Sequence, residues 1–428
     1  MSGTTTEAGR RNWAGNVTFG AARIARPGTV DELRRTVAEG AAVRVLGTGH
    51  SFNRIADTDG TLVSLAELPP RFEVDRARST VTVAAGMRHA QVAALLQAEG
   101  LALANLASLP HISVAGAVAT GTHGSGVGNP GLASSVAGLE LVGPDGDMVA
   151  LDRDSAGFAG SVVHLGALGV VSAVTLDVEP AYQVAQYVLT GLPLASLATG
   201  DADEMAALLG AAYSVSVFTD WFGAEAQIWL KHRTDAGGTP RLDWFGAAPA
   251  DRPLHPVPGV PATHCTEQLG VPGPWHERLP HFRPDFTPSA GEELQSEFLL
   301  PRAAAQAAFA ALRELGHRIA PVLQISEIRT VAADELWLSP AYGRDSVALH
   351  FTWHQDAEAV APVLAAVEAA LTPLGARPHW GKLFTATPGQ AADLYEHAYG
   401  FRELMDRQDP GGKFRNAFTR SLYAGGAA

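Results

Sequence analysis

The chain has 428 residues, more than one hydrophobic core usually serves, so two domains are expected. Hydrophobic residues make up 46% and charged residues 18%, which fits a folded globule and argues against disorder. The net charge of −13, with no basic stripe along the sequence, disfavours nucleic acid as a partner.

The single cysteine, Cys265, excludes an intramolecular disulfide and fits a cytosolic compartment. The first sixteen residues lack the apolar core of a signal peptide, and no run approaches the roughly 20 apolar residues that cross a bilayer. The sequence therefore predicts a cytoplasmic protein without membrane contact, and we expect a monomer. Basic residues are nearly all arginine, so the lysines Lys231, Lys382 and Lys413 each need an explanation.

The first part of the chain alternates short apolar strands with amphipathic helices. Thr29 is a suitable N-cap for a helix with an acidic first turn, and a second helix is expected from His89 to Glu99. Alternating, β-branched segments predict strands at 43–46, 61–65, 72–75, 80–85, 139–142, 147–151 and 169–178. The pattern changes after Pro180, where we place the end of a first domain of residues 1–180.

Two glycine-rich segments in this first part each end near a histidine. In the first, 45–53, a strand ends in glycines whose backbone N–H groups can approach a phosphate closely. In the second, 110–126, small residues would let a planar or phosphate-bearing group lie against the backbone. Together they suggest one extended ligand held from both sides, and His50 is either a surface-loop residue or part of that site.

Other kinds of site find less support in the same segments. Phe52 stands where a Rossmann motif needs its third glycine, and Thr122-His123 stands where a P-loop needs its lysine. The sequence has no His-Glu-x-x-His motif and no cysteine cluster, so no metal site is predicted. Ser51 and Ser125 lack the Gly-x-Ser-x-Gly context of a hydrolase nucleophile.

A second domain is predicted over 181–376, and residues 377–428 are expected to return to the first. A proline-rich stretch, 248–284, predicts an ordered excursion with little regular structure. Three strands follow between helices, at 294–299, 323–331 and 347–353.

These three strands each carry two polar side chains on one face. The pairs are Gln295 and Glu297, Glu327 and Arg329, and His350 and Thr352. They indicate either a polar cradle for a ligand or a half-solvated sheet with a surface ion pair between Glu327 and Arg329. Lys382 follows in Pro378-His-Trp-Gly-Lys, among aromatic and glycine residues rather than charged ones, which favours a functional role.

In combination, these motifs resemble the vanillyl-alcohol-oxidase type of FAD-binding proteins. Gly-Thr-Gly-His-Ser at 47–51 and Ala-Thr-Gly-Thr-His-Gly-Ser-Gly at 119–126 are similar to the flavin-binding segments of that family. His-Trp-Gly-Lys at 379–382 and the pair Glu327 and Arg329 resemble its branch of sugar-lactone and alditol oxidases. The stretches 105–113 and 267–278 are similar to the bacterial alditol (xylitol) oxidases, and the resemblance covers the chain after Asn16.

The resemblance implies an α+β, two-domain fold, in which an FAD-binding domain carries a mixed α/β substrate cap domain. It implies FAD bonded covalently to His50. The reaction would oxidise the terminal primary hydroxyl of a polyol such as xylitol or sorbitol to the aldose by hydride transfer to flavin N5, and dioxygen would reoxidise the flavin to give hydrogen peroxide. The residues expected to line FAD are Val45, Leu46, Gly47, Thr48, Gly49, His50, Ser51, Ser108, Ser113, Gly116, Ala117, Val118, Ala119, Val170, Thr352 and His379.

By the same resemblance, Lys382 lies at the reacting hydroxyl as a base or alkoxide stabiliser. Glu327 and Arg329 would act with it and bind successive hydroxyls, helped by Ser108, Thr352, His350 and Gln295. A desolvated lysine beside Arg329 is expected to have a lowered pKa.

Three alternatives stay open from the sequence. The nearest is a sugar-1,4-lactone oxidase or dehydrogenase on the same fold, although Leu106-Ala107-Ser108-Leu109 departs from the acidic loop of lactone enzymes. A second is an enzyme that passes electrons to a carrier instead of dioxygen. The third is a cofactor-binding protein without turnover, against which the polar cradle and Lys382 argue.

Overall fold

The computed structural model describes residues 9–285 and 292–423, and it combines helices with four β-sheets within those residues. This mixture confirms the predicted α+β class. The architecture is described in three stretches of chain, because the first and last contribute to one hydrophobic core and the middle stretch builds most of another.

The first stretch holds ten strands and four helices. The strands are β1 (Arg23–Ala25), β2 (Val43–Leu46), β3 (Thr61–Ser64), β4 (Phe72–Asp75), β5 (Thr80–Ala84), β6 (Leu101–Ala102), β7 (Val136–Val142), β8 (Met148–Asp152), β9 (Val170–Asp177) and β10 (Glu179–Pro180); the helices are α1 (Val30–Glu39), α2 (His89–Ala98), α3 (Val114–Ala119) and α4 (Phe158–Val162). The predicted strands are all present, with ends shifted by a few residues. Thr29 caps α1 as expected, since its side chain accepts a hydrogen bond from the backbone N–H of Glu32.

Two sheets organise this stretch. A parallel sheet has the strand order β1-β3-β2, and an antiparallel sheet has the order β4-β5-β9-β7-β8. Apolar side chains from both sheets and from α1 and α2 meet in one core, which includes Leu33, Val63, Val83, Leu96 and Val174. The end of β2 is therefore fixed by core packing where the first glycine-rich segment begins.

The middle stretch builds most of one large sheet. Its strands are β11 (Gln183–Pro193), β12 (Ser214–Thr219), β13 (Glu225–Arg233), β14 (Ala248–Pro249), β15 (Pro272–Pro274), β16 (Glu293–Pro301), β17 (Leu323–Val331) and β18 (Ser346–His354); its helices are α5 (Leu194–Thr199), α6 (Ala202–Leu209), α7 (Ala305–Glu314), α8 (Gly316–Ile319) and α9 (Ala357–Leu371). The proline-rich excursion holds only two short strands and isolated helical turns in its described residues, as its composition predicts.

In the large sheet, the three strands with polar residues on one face, β17, β18 and β16, lie side by side. Its order is β14-β11-β13-β12-β17-β18-β16, and β15 pairs with β11. Alternate residues of β16 and β18, such as Phe298, Leu349 and Phe351, pack into the second core with Phe309 of α7 and Val367 of α9. Because neighbours along a strand point to opposite faces, the intervening polar residues face away from these helices.

The last stretch contains β19 (Arg377–Pro378), α10 (Pro388–Ala392), α11 (Ala398–Gln408) and α12 (Ala417–Arg420). β19 pairs with β16, so residues 377 and 378 still belong to the large sheet. Tyr395, Phe401 and Phe418 then pack in the first core. The division into two domains remains a prediction. Residues of this last stretch contact both hydrophobic cores.

One helical stretch, Ala357–Leu374, is long and apolar enough by composition alone to cross a membrane, among the residues that the structure describes. This differs from the expectation that no run approaches such a length. This stretch is α9 with the turn that follows it, and Val360, Val363, Leu364, Val367 and Leu371 pack in the second core. Packing therefore accounts for these five apolar side chains, whereas the other positions, largely alanine, are exposed or half-buried.

The rare lysines occupy positions that a guanidinium would fit poorly. Lys413 Nζ donates to the carbonyl oxygens of Val37, Ala38 and Pro144 at 2.5–3.0 Å, which ties the C-terminal segment to the end of α1. Lys231 is buried, and its Nζ donates to three successive carbonyls, residues 278–280, at 2.7–2.9 Å. Three acceptors around one point suit a compact ammonium rather than a planar guanidinium.

Candidate active site

A cavity of about 780 Å³ runs between the glycine-rich segments of the first stretch and the polar face of the large sheet. Its wall includes residues 44–53, 107–109 and 111–113, polar residues of strands β16 to β18, and His379, Gly381 and Lys382 from the turn after β19. Both groups of predicted site residues therefore face a single space.

Glycines bring two backbone segments of this wall together. A Cβ atom on Gly47 would lie 2.4 Å from Ser113 Oγ, and one on Gly116 would lie 2.8 Å from the same atom. A larger residue at position 47 would crowd β2 against Ser113 at the start of α3, and one at position 116 would crowd the same hydroxyl within the helix. Gly49 has a φ of +74°, a left-handed conformation that side chains disfavour, so its glycine lets the chain turn before His50.

Within the second glycine-rich segment, Val114–Ala119 form helix α3, which the sequence pattern did not predict. Ala115, Gly116, Ala117 and Ala119 line the cavity, whereas Val118 packs into the first core. Val170 is likewise placed in that core, between the cavity-lining residues Gly169 and Val171. The cofactor contacts predicted for Val118 and Val170 remain predictions, with both side chains packed in that core.

The other predicted residues line the cavity. Those predicted to line FAD are Val45, Leu46, Gly47, Thr48, Gly49, His50, Ser51, Ser108, Ser113, Gly116, Ala117, Ala119 and His379; those predicted to bind the substrate include Gln295, Glu327, Arg329, His350, Thr352 and Lys382. Their individual roles remain predictions.

His50 lies in this wall with a neutral ring. Its Nδ1 is 3.1 Å from the carbonyl oxygen of Thr48, and its buried Nε2 has no hydrogen-bond partner among the described residues. Burial lowers the pKa of His50 to about 3, with smaller effects from His111 and Arg88 in the same direction. Since a carbonyl only accepts, Nδ1 carries the proton in this arrangement, and the lone pair of Nε2 is unused.

The six polar side chains of β16, β17 and β18, which we call the cradle, sit in register across the sheet. The cradle comprises Gln295, Glu297, Glu327, Arg329, His350 and Thr352. His350 is the direct partner of Glu297 on one side and of Glu327 on the other, and Gln295 is opposite Thr352. The cradle is largely buried, so the alternative of a half-solvated sheet is wrong.

Glu297 is the centre of the cradle. Its side chain is 1% exposed, and its carboxylate accepts hydrogen bonds from Arg329 Nη2 at 2.5 Å and Lys382 Nζ at 2.7 Å. His123 Nε2 approaches the same carboxylate at 3.4 Å. Burial alone would raise the pKa of Glu297, but the charges of Arg329 and Lys382 outweigh it and hold that pKa well below the usual range.

Lys382 connects Glu297 to a histidine. Its Nζ also lies 2.7 Å from His350 Nδ1, and His350 Nε2 lies 3.1 Å from Thr352 Oγ1. Burial, with Lys382 adding to it, lowers the pKa of His350 well below 6.5, so this imidazole is neutral and its Nδ1 accepts from Nζ. Burial and Arg329 also lower the pKa of Lys382, against the opposing influence of Glu297. The direction agrees with the sequence expectation.

Glu327 forms the second carboxylate site of the cradle. Its Oε1 is 2.8 Å from His281 Nε2, and its Oε2 is 3.6 Å from Arg329 Nε. Burial would raise the pKa of Glu327, but Arg329 and His281 bring it below the ordinary range. His281 follows the carbonyls held by Lys231, whose own pKa is lowered by burial to about 7.

Sequence reasoning missed three residues of this site. Glu297 was recognised only as sharing a face with Gln295, and its two cations come from elsewhere in the chain. His123 was treated as part of a glycine motif, and it reaches Glu297 only in the folded protein. His281 lies in the proline-rich excursion, where nothing in the local pattern pointed to Glu327.

Comparisons with known proteins agree with this arrangement. Residues 21–152 match the FAD binding domain family, and residues 292–422 match the D-arabinono-1,4-lactone oxidase family. The chain is 53% identical to the alditol oxidase of Streptomyces sp., over 97% of this chain and 99% of that protein. It is 27% identical to L-gulono-1,4-lactone dehydrogenase of Mycobacterium tuberculosis and 25% identical to L-gulonolactone oxidase of Mus musculus, each over 96% of this chain and 98% of the relative.

Solved structures share the fold at low sequence identity. Cholesterol oxidase from B. sterolicum has a TM-score of 0.78 and 14% identity, over 98% of this chain and 97% of that one. Chitooligosaccharide oxidase has a TM-score of 0.72 and 14% identity, over 97% of this chain and 96% of that one. These likenesses confirm the predicted FAD-binding oxidase fold.

Proposed function

The chain belongs to the FAD-dependent alditol and sugar-lactone oxidases of the vanillyl-alcohol-oxidase type, and from this premise we propose that it is an alditol oxidase with FAD bound covalently to His50. It would oxidise the terminal primary hydroxyl of a polyol such as xylitol or sorbitol, with dioxygen as acceptor and hydrogen peroxide as second product. The observation that carries the proposal is the buried cradle with Lys382 Nζ bonded to it, in the cavity that the glycine-rich segments also line.

The residues present fit FAD. Gly47, Gly49 and Gly116 line the cavity and have no side chains, so a large planar or phosphate-bearing group can lie against the backbone there. The buried, unpartnered Nε2 of His50 is a polar atom that the described protein leaves unsatisfied. FAD, when bound, supplies an acceptor for the two electrons and the hydrogen of the carbinol C–H bond.

The cradle supplies the groups that bind a polyol. Glu327 and Arg329 offer a carboxylate acceptor and guanidinium donors side by side, and Ser108 Oγ lies 3.5 Å from Arg329 Nη1. Gln295 and Thr352 extend the polar surface along the strands. Leaving one buried polar group without its hydroxyl costs about 1–3 kcal/mol, so the spacing of these groups can select chain length and configuration.

Lys382 accepts the proton of the reacting hydroxyl. Oxidation of an alcohol removes the hydroxyl proton as the C–H bond breaks, and a neutral amine can accept that proton. The lowered pKa of Lys382 increases the neutral fraction, and Glu297 and His350 fix Nζ in place at 2.7 Å each. Once protonated, Lys382 and the neighbouring Arg329 stabilise negative charge on the oxygen.

A substrate panel tests the activity. We expect hydrogen peroxide release with xylitol, sorbitol, mannitol or glycerol at a kcat/KM at least about 10-fold above that with L-gulono-1,4-lactone or D-arabinono-1,4-lactone, because a tenfold preference requires only about 1.4 kcal/mol. Faster turnover of the lactones would replace the proposal by a lactone oxidase. Anaerobic reduction of the flavin by xylitol without peroxide formation in air would instead indicate a dehydrogenase.

The covalent link has its own test. We expect the His50→Ala variant to bind FAD but to lose all colour from the protein pellet on acid precipitation, because the attached side chain is absent. The measurement is the ratio of flavin in the pellet to flavin in the supernatant, with the unaltered chain as the positive control. Flavin that stays with the precipitated variant would show that the bond lies at another residue.

A further inference from the structure

The segment before β1 lies across the loop that carries His50. The backbone N–H of Trp13 donates to Gly49 O at 2.8 Å, and Asn12 Nδ2 donates to Ser51 O at 2.9 Å. Asn16 Nδ2 donates to Phe52 O at 2.7 Å. Three hydrogen bonds therefore fix residues 12–16, which we call the N-terminal segment, to both sides of His50.

This segment places an indole directly on the imidazole. The rings of Trp13 and His50 have centroids 4.8 Å apart and planes inclined by 16°, a stacked pair. Trp13 also contacts Phe52 edge to face at 6.2 Å and lines the cavity. The stacked indole restricts the imidazole to one plane, so a ring nitrogen keeps a fixed direction within the cavity wall.

A second contact narrows the freedom of His50 further. The ring of His111 has its centroid 5.2 Å from that of His50, inclined by 55°. Among the described residues the His50 ring has one hydrogen bond, to Thr48 O, which by itself would allow the ring to swing. The orientation of the imidazole therefore depends on the aromatic contacts more than on polar ones.

We propose that Trp13 is a positioning residue for the covalent attachment of flavin to His50. The inference rests on the proposed covalent link. Attachment replaces one C–H bond of the flavin methyl group and the N–H bond of the neutral imidazole by one C–N bond. The two electrons and two protons go to the isoalloxazine ring, and dioxygen then accepts them as hydrogen peroxide. Trp13 acts before and during formation of the C–N bond, because it holds the imidazole of His50 with its reacting nitrogen directed toward the flavin methyl carbon.

The test compares covalent and total flavin in three variants. In Trp13→Leu, which keeps apolar bulk without a planar face, we expect total FAD close to that of the unaltered chain. The rate of attachment after FAD is added to full-length protein produced without flavin should fall by about 10- to 100-fold, the usual effect of misplacing a reacting group by about 1 Å. Trp13→Phe, which restores a flat ring, should recover most of that rate.

Asn16→Ala is the matched control, because it removes two hydrogen bonds of the N-terminal segment, to Phe52 O and from Asn12 Nδ2, without changing either ring of the stacked pair. It should attach flavin at nearly the normal rate. Normal attachment in Trp13→Leu would overturn the role of Trp13, as would an equal loss in Asn16→Ala. Retention of covalent flavin in His50→Ala would instead overturn the proposed link, so the two failures are distinguishable.

Discussion

Replacing Lys382 by methionine is expected to leave a folded, yellow protein whose flavin is reduced by xylitol about 10²- to 10⁴-fold more slowly, the usual contribution of a positioned acid or base. Methionine keeps the length and apolar stem of lysine but can neither accept the hydroxyl proton nor stabilise the oxygen that it leaves. The measurement is anaerobic reduction of the bound flavin at saturating xylitol. It follows the chemical step without involving dioxygen.

Two further variants interpret that result. Lys382→Arg keeps a cation that cannot lose its proton, so it should be nearly as slow as Lys382→Met if the neutral amine is the base. Lys413→Met makes the same change outside the cavity and should reduce its flavin at the normal rate. Near-normal reduction in Lys382→Met would remove Lys382 from the mechanism, and substantial reduction in Lys382→Arg would leave it only an electrostatic role.

Replacing Glu297 by glutamine is expected to lower stability and to shift the pH dependence of flavin reduction, because both depend on the negative charge of Glu297. The amide keeps the shape of the carboxylate but removes the charge that neutralises Arg329 and Lys382. Removing one partner of a buried ion pair costs about 3–5 kcal/mol, so the free energy of unfolding should fall by about that amount. Chemical denaturation measures this loss. Glu140→Gln, at a half-exposed pair with Arg71, is the control and should change stability by less than about 1 kcal/mol.

The same variant should shift the pH dependence of flavin reduction. Glu297 raises the pKa of Lys382, so its loss lowers that pKa and the amine becomes neutral at lower pH. If the neutral amine is the base, the rising limb of the rate against pH moves to lower pH, even though the plateau rate falls with the lost positioning. A limb that stays in place or moves to higher pH would contradict the coupling of Glu297 to Lys382.

Much of the fold followed from local patterns. Thr29 as a cap and the β-branched runs located their elements because capping and alternation depend on neighbouring residues. The pairing of β19 with β16 could not be predicted, since two residues carry too little periodicity to identify a strand. Helix α3 was missed because small residues permit a helix as readily as a loop.

The candidate site was likewise predicted where it depends on local sequence pattern and not where it depends on distant residues. Alternation placed Glu327 and Arg329 on one face, but a strand pattern does not tell how deeply that face is buried. Burial of Glu297 depends on Lys382 and Arg329, which lie 85 and 32 residues away in the chain. His281 joins Glu327 from a segment without regular structure, held by Lys231, so only the folded chain shows the pair.

The buried charges around Glu297 also bear on whether a charged or an uncharged ligand can bind. Glu297 and Glu327 carry two negative charges, and Arg329 with protonated Lys382 carries two positive ones. With Lys382 neutral, the cluster has one net negative charge. Whether Lys382 is protonated or neutral, the cluster has no excess positive charge. The carboxylate of a sugar acid would therefore be buried there without a counter-charge. An uncharged polyol meets no such barrier, and the cluster therefore discriminates against carboxylates before any hydroxyl is recognised.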